Sequence, residues 1–128
     1  MKQKIKLLTG SSNPELAKEI SKYLSIPLTP VDIKKFNDGE IYCRILSSVR
    51  GNTIFIIQPT SPNTNETLME LLIMIDALKR ASAKEINAVI PYYGYARQDR
   101  KALPREPVTA KLVADMIQSA GALSPVYG

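Results

Sequence analysis

The sequence predicts an α/β fold, a mostly parallel sheet flanked by helices with one β-hairpin inserted. Three features carry this. Short apolar runs alternate along the chain with segments of helical spacing. Residues 53–57, Thr-Ile-Phe-Ile-Ile, are apolar without alternation, as in a strand covered on both faces. Asn37-Asp38-Gly39 separates two extended runs and supplies residue types that tolerate the positive φ of a hairpin turn.

Taken in order, residues 5–8 form a first strand that ends at Thr9-Gly10. Asn13 can cap a helix whose first position suits Pro14, and Leu16, Ala17, Ile20, Tyr23 and Leu24 then share one helical face. Strands follow at 31–36 and through Ile41, Cys43 and Ile45, on either side of the turn. Beyond 53–57, residues 59–65 hold prolines, Asn, Ser and Thr and read as a loop. From 66 to 81, Leu68, Leu71, Leu72, Ile75 and Leu78 keep helical spacing. Met69, Ile73 and Met74 widen that stripe, which implies burial on more than one side. A strand at 86–90, a loop punctuated by Pro104 and Pro107, and a helix at 108–120 ending at Gly121 complete the order.

At 128 residues, 45% hydrophobic and 23% charged, the chain is one ordinary globular domain. Its net charge of +5 favours anionic partners: phosphates, nucleic acid or acidic lipid. The one cysteine, Cys43, allows no internal disulfide and reads as a small apolar side chain within a strand. The basic N-terminus precedes an apolar stretch too short for a signal peptide, and no stretch reaches the length of a membrane span. A cytoplasmic protein is expected. The absence of histidine removes histidine general bases, Ser-His triads and histidine-ligated metals.

Two segments carry chemistry. Pro91-Tyr92-Tyr93-Gly94-Tyr95-Ala96-Arg97-Gln98-Asp99-Arg100-Lys101 leaves an apolar strand, turns on a glycine, and presents three cations and one carboxylate within its last five residues. Ligands of open α/β sheets bind beyond the carboxyl ends of strands, where this loop is expected to lie. Neither G-x-G-x-x-G nor G-x-x-x-x-G-K occurs, so phosphates would be held by side chains. Arg97, Arg100, Lys101 and Arg105 supply charge, and a guanidinium matches two phosphate oxygens at once. Gln98 can add an amide contact, and Asp99 can orient an arginine or hold a metal-bound water. The alternative is a solvated loop whose charges pair among themselves. Tyr92, Tyr93 and Tyr95 beside arginines also fit a single-strand nucleic-acid platform, although core packing of at least two of them is the simpler expectation. The second segment, Phe36-Asn37-Asp38-Gly39-Glu40, places two carboxylates and an aromatic around a glycine. It can suit a base or ribose, although a plain hairpin turn is the favoured reading of the bare pattern.

These two segments occur in one order with Ser48-Val49-Arg50-Gly51, the helix at 68–83, and the stretch from Arg105-Glu106-Pro107 through 111–114. Together they resemble the N-terminal domain of ribose-phosphate pyrophosphokinase, over nearly the whole chain. The resemblance implies a phosphoribosyltransferase-like N-terminal domain at 1–122 and a divergent tail at 123–128. It implies transfer of diphosphate from Mg-ATP to ribose 5-phosphate, giving phosphoribosyl pyrophosphate and AMP. Arg97 and Gln98 would contact ATP, with Asp99 and Arg100 close by. Phe36, Asp38, Gly39 and Glu40 would form the hairpin that reaches the adenosine of ATP on a neighbouring subunit, in a homo-oligomer. Mg²⁺ would come with ATP, and ribose 5-phosphate would bind only to a full-length protein.

The departures bear on activity. After Ala120-Gly121-Ala122 the family continues into a strand ending in an Asp-Leu-His motif of the metal site, and then into a second domain. Here the chain reads Leu123-Ser124-Pro125-Val126-Tyr127-Gly128, without that histidine. A C-terminally truncated member is expected, with no catalytic or metal residues of its own and an open sheet edge where a strand is missing. The alternatives are a non-catalytic regulatory or assembly module of the same family and, less favoured, a nucleic-acid-binding domain.

Overall fold

The structure, a computed structural model, describes residues 4–123 and 126–127. A parallel sheet is built from β1 (Ile5–Thr9), β4 (Thr53–Ile57), β5 (Glu85–Ile90) and β6 (Val126–Tyr127), in the spatial order β1-β4-β5-β6. Between β1 and β4 lie helix α1 (Pro14–Leu24) and an antiparallel hairpin of β2 (Val31–Lys35) and β3 (Ile41–Ile45). Helices α2 (Thr64–Arg80) and α3 (Thr109–Ala120) follow β4 and β5. The expected α/β class, parallel sheet and inserted hairpin are all present.

Strand register divides the sheet into two faces. Leu8, Ile56 and Ala88 are aligned across β1, β4 and β5, as are Ile54 and Ile86 on β4 and β5. All five are buried in one core with Leu71, Met74, Ile75 and Leu78 of α2 and with Val113 and Ile117 of α3. Alternation sends Leu7, Phe55 and Ile57 to the opposite face. They stand apart from that core, as does Ala17, the one buried residue of α1. α2 also packs against β3, so the hairpin covers part of the helix that the sheet leaves open.

Local chemistry sets the element ends. Asn13 Oδ1 accepts the Leu16 N–H at 3.1 Å with Pro14 in the first turn, as its sequence position predicts. Gly39 turns the hairpin at φ 96°. β4 runs on to Gln58, whose N–H reaches the Val89 carbonyl at 3.0 Å.

Several expectations are corrected. Tyr23 is 89% exposed because it stands about 120° around the α1 axis from Ala17, at the margin of the apolar stripe. Met69 is half-exposed although it widens the α2 stripe, because it lines an open groove between α2 and the hairpin. α2 begins two residues before the predicted start, with Thr64 already helical. The open edge of β5 is partly occupied: the Leu123 N–H donates to the Ile86 carbonyl at 2.9 Å, and β6 pairs with Val89 and Ile90. Two residues are too few for any periodicity to announce a strand. Of the expected tail at 123–128, residues 124, 125 and 128 lie outside the described residues.

Candidate functional site

The carboxyl ends of β1, β4 and β5 feed three loops that meet above the sheet, and a buried polar network ties the first two together. Gln58 is fully buried, and its Oε1 accepts from Ser12 Oγ at 2.8 Å and the Ser12 N–H at 3.3 Å. Its Nε2 donates to Glu70 Oε2 at 2.7 Å and the Thr67 carbonyl at 3.3 Å. Glu70, 5% exposed, also accepts from the Ser11 N–H and Ser11 Oγ, both at 2.6 Å. Gly10 is required beneath this network, because a Cβ there would lie 2.6 Å from Glu70 Oε2.

The loop after β5 is anchored to the same framework. The Gly94 N–H donates to Thr60 Oγ1 at 2.6 Å, and the Thr60 hydroxyl donates to the Tyr92 carbonyl at 3.2 Å. A Cβ on Gly94 would lie 2.7 Å from the Thr60 carbonyl oxygen, so this close approach needs glycine. Tyr93 is buried and donates its hydroxyl to the Ala110 carbonyl at 2.9 Å. Tyr95 is half-buried, with its hydroxyl donating to Asn65 Oδ1. Tyr92 is 61% exposed. Tyr93 is therefore in the core and Tyr95 packs against it, so two of the three tyrosines pack as expected.

Beyond Tyr95, Arg97 and Gln98 face an open groove of about 520 Å³ lined by Asn63, Thr64, Asn65, Glu66 and Tyr95. That volume is within the range of small-ligand sites. The first turn of α2 forms one wall, and its cap residue Asn63 makes no side-chain cap bond. The positive end of a 17-residue helix thus shares a groove with Arg97, an electrostatic setting suited to an anion. Glu66 opposes this, but Lys35 pairs with it at 2.6 Å. Arg97, Asp99, Arg100, Lys101 and Arg105 take no part in any ion pair among the described residues. The loop charges do not neutralise one another.

The hairpin residues Phe36, Asp38, Gly39 and Glu40 line a second open groove of about 810 Å³, with Ile41, Met69 and Ile73 as its apolar wall. Asp38 Oδ1 accepts the Glu40 N–H at 3.0 Å, so one of its oxygens shapes the turn itself. Phe36 is 53% exposed and stacks edge-on to Tyr42 with centroids 6.3 Å apart. The two grooves meet at Asn65 and Glu66, which line both. Asp99 and Arg100 line neither.

Asn63, Thr64 and Asn65 were read as loop, and their place in the site comes from the structure. The spacing of Asn63 and Glu66 resembles a capping box and could have marked the helix start. Among the described residues no group of three or more Cys, Asp or Glu side chains could hold a metal ion. The described residues thus offer no protein cage for Mg²⁺, whereas Mg²⁺ carried on nucleotide phosphates needs none. No helix among those residues is long and apolar enough to cross a membrane.

The sequence matches the family described as the N-terminal domain of ribose phosphate pyrophosphokinase over residues 5–121. The chain belongs to this family. It is 65% identical over 117 residues to the ribose-phosphate pyrophosphokinase of Wolinella succinogenes, a match covering 91% of this chain and 38% of that protein. Against the chloroplastic enzyme of Spinacia oleracea the identity is 61%, covering 93% of this chain and 30% of the relative. The crystal structure of phosphoribosylpyrophosphate synthetase from Mycobacterium smegmatis superposes with a TM-score of 0.95 at 46% identity, over 98% of this chain and 42% of that one. This domain thus spans well under half the length of the curated relatives it matches.

Proposed function

We propose that this chain supplies the ATP-binding side of a ribose-phosphate diphosphokinase. In that reaction the anomeric hydroxyl oxygen of ribose 5-phosphate attacks the β-phosphorus of ATP. The bond from that phosphorus to the α,β-bridging oxygen breaks, AMP leaves, and the hydroxyl proton passes to solvent or base. Arg97 and Gln98 hold the polyphosphate, with Asp99 and Arg100 behind them on the loop. Phe36, Asp38, Gly39 and Glu40 reach the adenosine of a nucleotide on a neighbouring copy, where carboxylates accept from amino and hydroxyl donors. Mg²⁺ enters with ATP, and the work of the protein is positioning and charge neutralisation. The observation that carries this reading is the unpaired cationic loop beside the first turn of α2.

The 128 residues correspond to the N-terminal domain of much longer relatives, and by themselves they are expected to turn over negligibly. Titration with Mg-ATP in a calorimeter tests the binding, and an AMP assay with ribose 5-phosphate tests the turnover. Arg97→Ala should weaken ATP binding about tenfold or more, the scale of one charge-assisted hydrogen bond. Absence of ATP binding would remove the nucleotide reading, and robust AMP formation would remove the inactivity claim. The assembly-module alternative is favoured by the half-exposed Phe36 and Met69 on one groove. Sedimentation with and without a full-length homologue separates an inserting partner from an inert monomer.

A further inference from the structure

We propose that Tyr95 is a positioning residue for nucleotide binding, a clip whose hydroxyl sets the direction in which Arg97 and Gln98 are presented. This rests on the reading that those two side chains hold ATP. Tyr95 is in the left-handed region at φ 74°, a conformation that a bulky side chain adopts only when its surroundings hold it. Two attachments hold it here. Its hydroxyl donates to Asn65 Oδ1, on the second residue of α2. Its own carbonyl accepts the Gln98 N–H at 2.9 Å. One residue therefore connects the helix terminus on one wall of the groove to the cationic stretch on the other. Its position also borders an apolar groove with Leu68, Met69 and Leu112.

The neighbouring tyrosines do not do this. Tyr93 bonds to α3 through Ala110, and Tyr92 stands exposed. Downstream, the Gln98 carbonyl accepts the Ala110 N–H at 3.0 Å, so residues 95–98 are fixed at both ends with Arg97 between them. Removing only the hydroxyl unties Tyr95 from α2 while leaving the ring and the Gly94 bond to Thr60. Arg97 then samples directions away from the groove, and binding must first restore the productive one.

The test compares the full 128-residue chain with Tyr95→Phe, Asn65→Ala and the double variant, each titrated with Mg-ATP and each probed by amide hydrogen exchange without nucleotide. Tyr95→Phe should weaken ATP binding about tenfold, speed exchange at the Gln98 amide, and leave the thermal midpoint nearly unchanged. The double variant should bind no worse than the weaker single one, because both remove the same bond. Wild-type affinity in Tyr95→Phe, or additive losses in the double variant, would overturn the clip. If the wild-type chain binds no ATP, the nucleotide reading falls. Exchange then decides the clip alone: faster Gln98 exchange in Tyr95→Phe upholds it, and unchanged exchange overturns it.

Discussion

Replacing Glu70 by alanine removes the acceptor on which two loops and a helix converge. Three donors would lose their partner: the Ser11 N–H and Ser11 Oγ, both at 2.6 Å, and Gln58 Nε2 at 2.7 Å. A hydrogen bond to a carboxylate is worth about 1.5–3 kcal/mol, so the gross loss is several kcal/mol. Two effects reduce it. Burying the carboxylate has its own desolvation cost, which disappears with the side chain. Ser11 is exposed, and water can replace Glu70 on its donors. Gln58 Nε2 cannot be rescued so easily, because the side chain is fully buried and that nitrogen keeps only the 3.3 Å bond to the Thr67 carbonyl. The net destabilisation is about 3 kcal/mol, a large part of the total for a domain of this size. With an unfolding entropy of about 2.1 cal/mol/K per residue, the melting midpoint should fall by roughly 11 °C. Urea unfolding followed by far-ultraviolet circular dichroism measures the loss. Glu70→Gln adds a sharper test: it keeps the shape but turns one acceptor into a donor amid three donors, at a cost of about 1.5 kcal/mol. A change below about 0.5 kcal/mol in Glu70→Ala, or a Glu70→Gln variant as stable as wild type, would refute this account of the network.

Cys43 yields a prediction in pH. Burial first, then Glu70 and Asp32, push its thiol from 9.0 up to about 11. At pH 8 its thiolate should be about a hundredfold scarcer than that of the unfolded chain, so alkylation should be slower by a similar factor until denaturant is added. An equal rate in native and unfolded protein would contradict this. Because the folded thiol keeps its proton where the unfolded one loses it, stability is unaffected below about pH 9 and falls as pH rises towards 11. Cys43→Ala should flatten that fall in pH-dependent melts. Tyr93→Phe deletes the bond to the Ala110 carbonyl and should cost about 1 kcal/mol in urea unfolding, with a cost near zero showing the bond to be dispensable. Gly94→Ala places a Cβ 2.7 Å from the Thr60 carbonyl oxygen and should cost about 2 kcal/mol or more, with the loss concentrated in exchange of amides 94–98. A fully tolerated Gly94→Ala would mean the two loops can separate freely.

The division between sequence and tertiary structure follows from the range of the physics involved. Short-range patterns are readable residue by residue: the apolar β4 run, the Asn13-Pro14 helix start and the Asn37-Asp38-Gly39 turn each depend on a few neighbours. They were sufficient for the α/β class and for placing the cationic loop beyond a strand. The loop and hairpin residues also carry the family resemblance, which the match over 5–121 bears out. What the sequence leaves open is set by contacts between distant residues. Glu66 and Lys35 are 31 positions apart, Tyr95 and Asn65 are 30, and Glu70 and Ser11 are 59. No local propensity encodes such pairs, because a side chain's partner is decided by where the sheet and helices deliver it. Hence Tyr23 stands in solvent at the edge of an apolar stripe, and Asn65 belongs to a groove rather than a loop. The sequence by itself singled out two polar segments; only the packing of α2 against the hairpin and the β5 loop brings Arg97 and Gln98 of one and Asp38 and Glu40 of the other to two adjoining grooves.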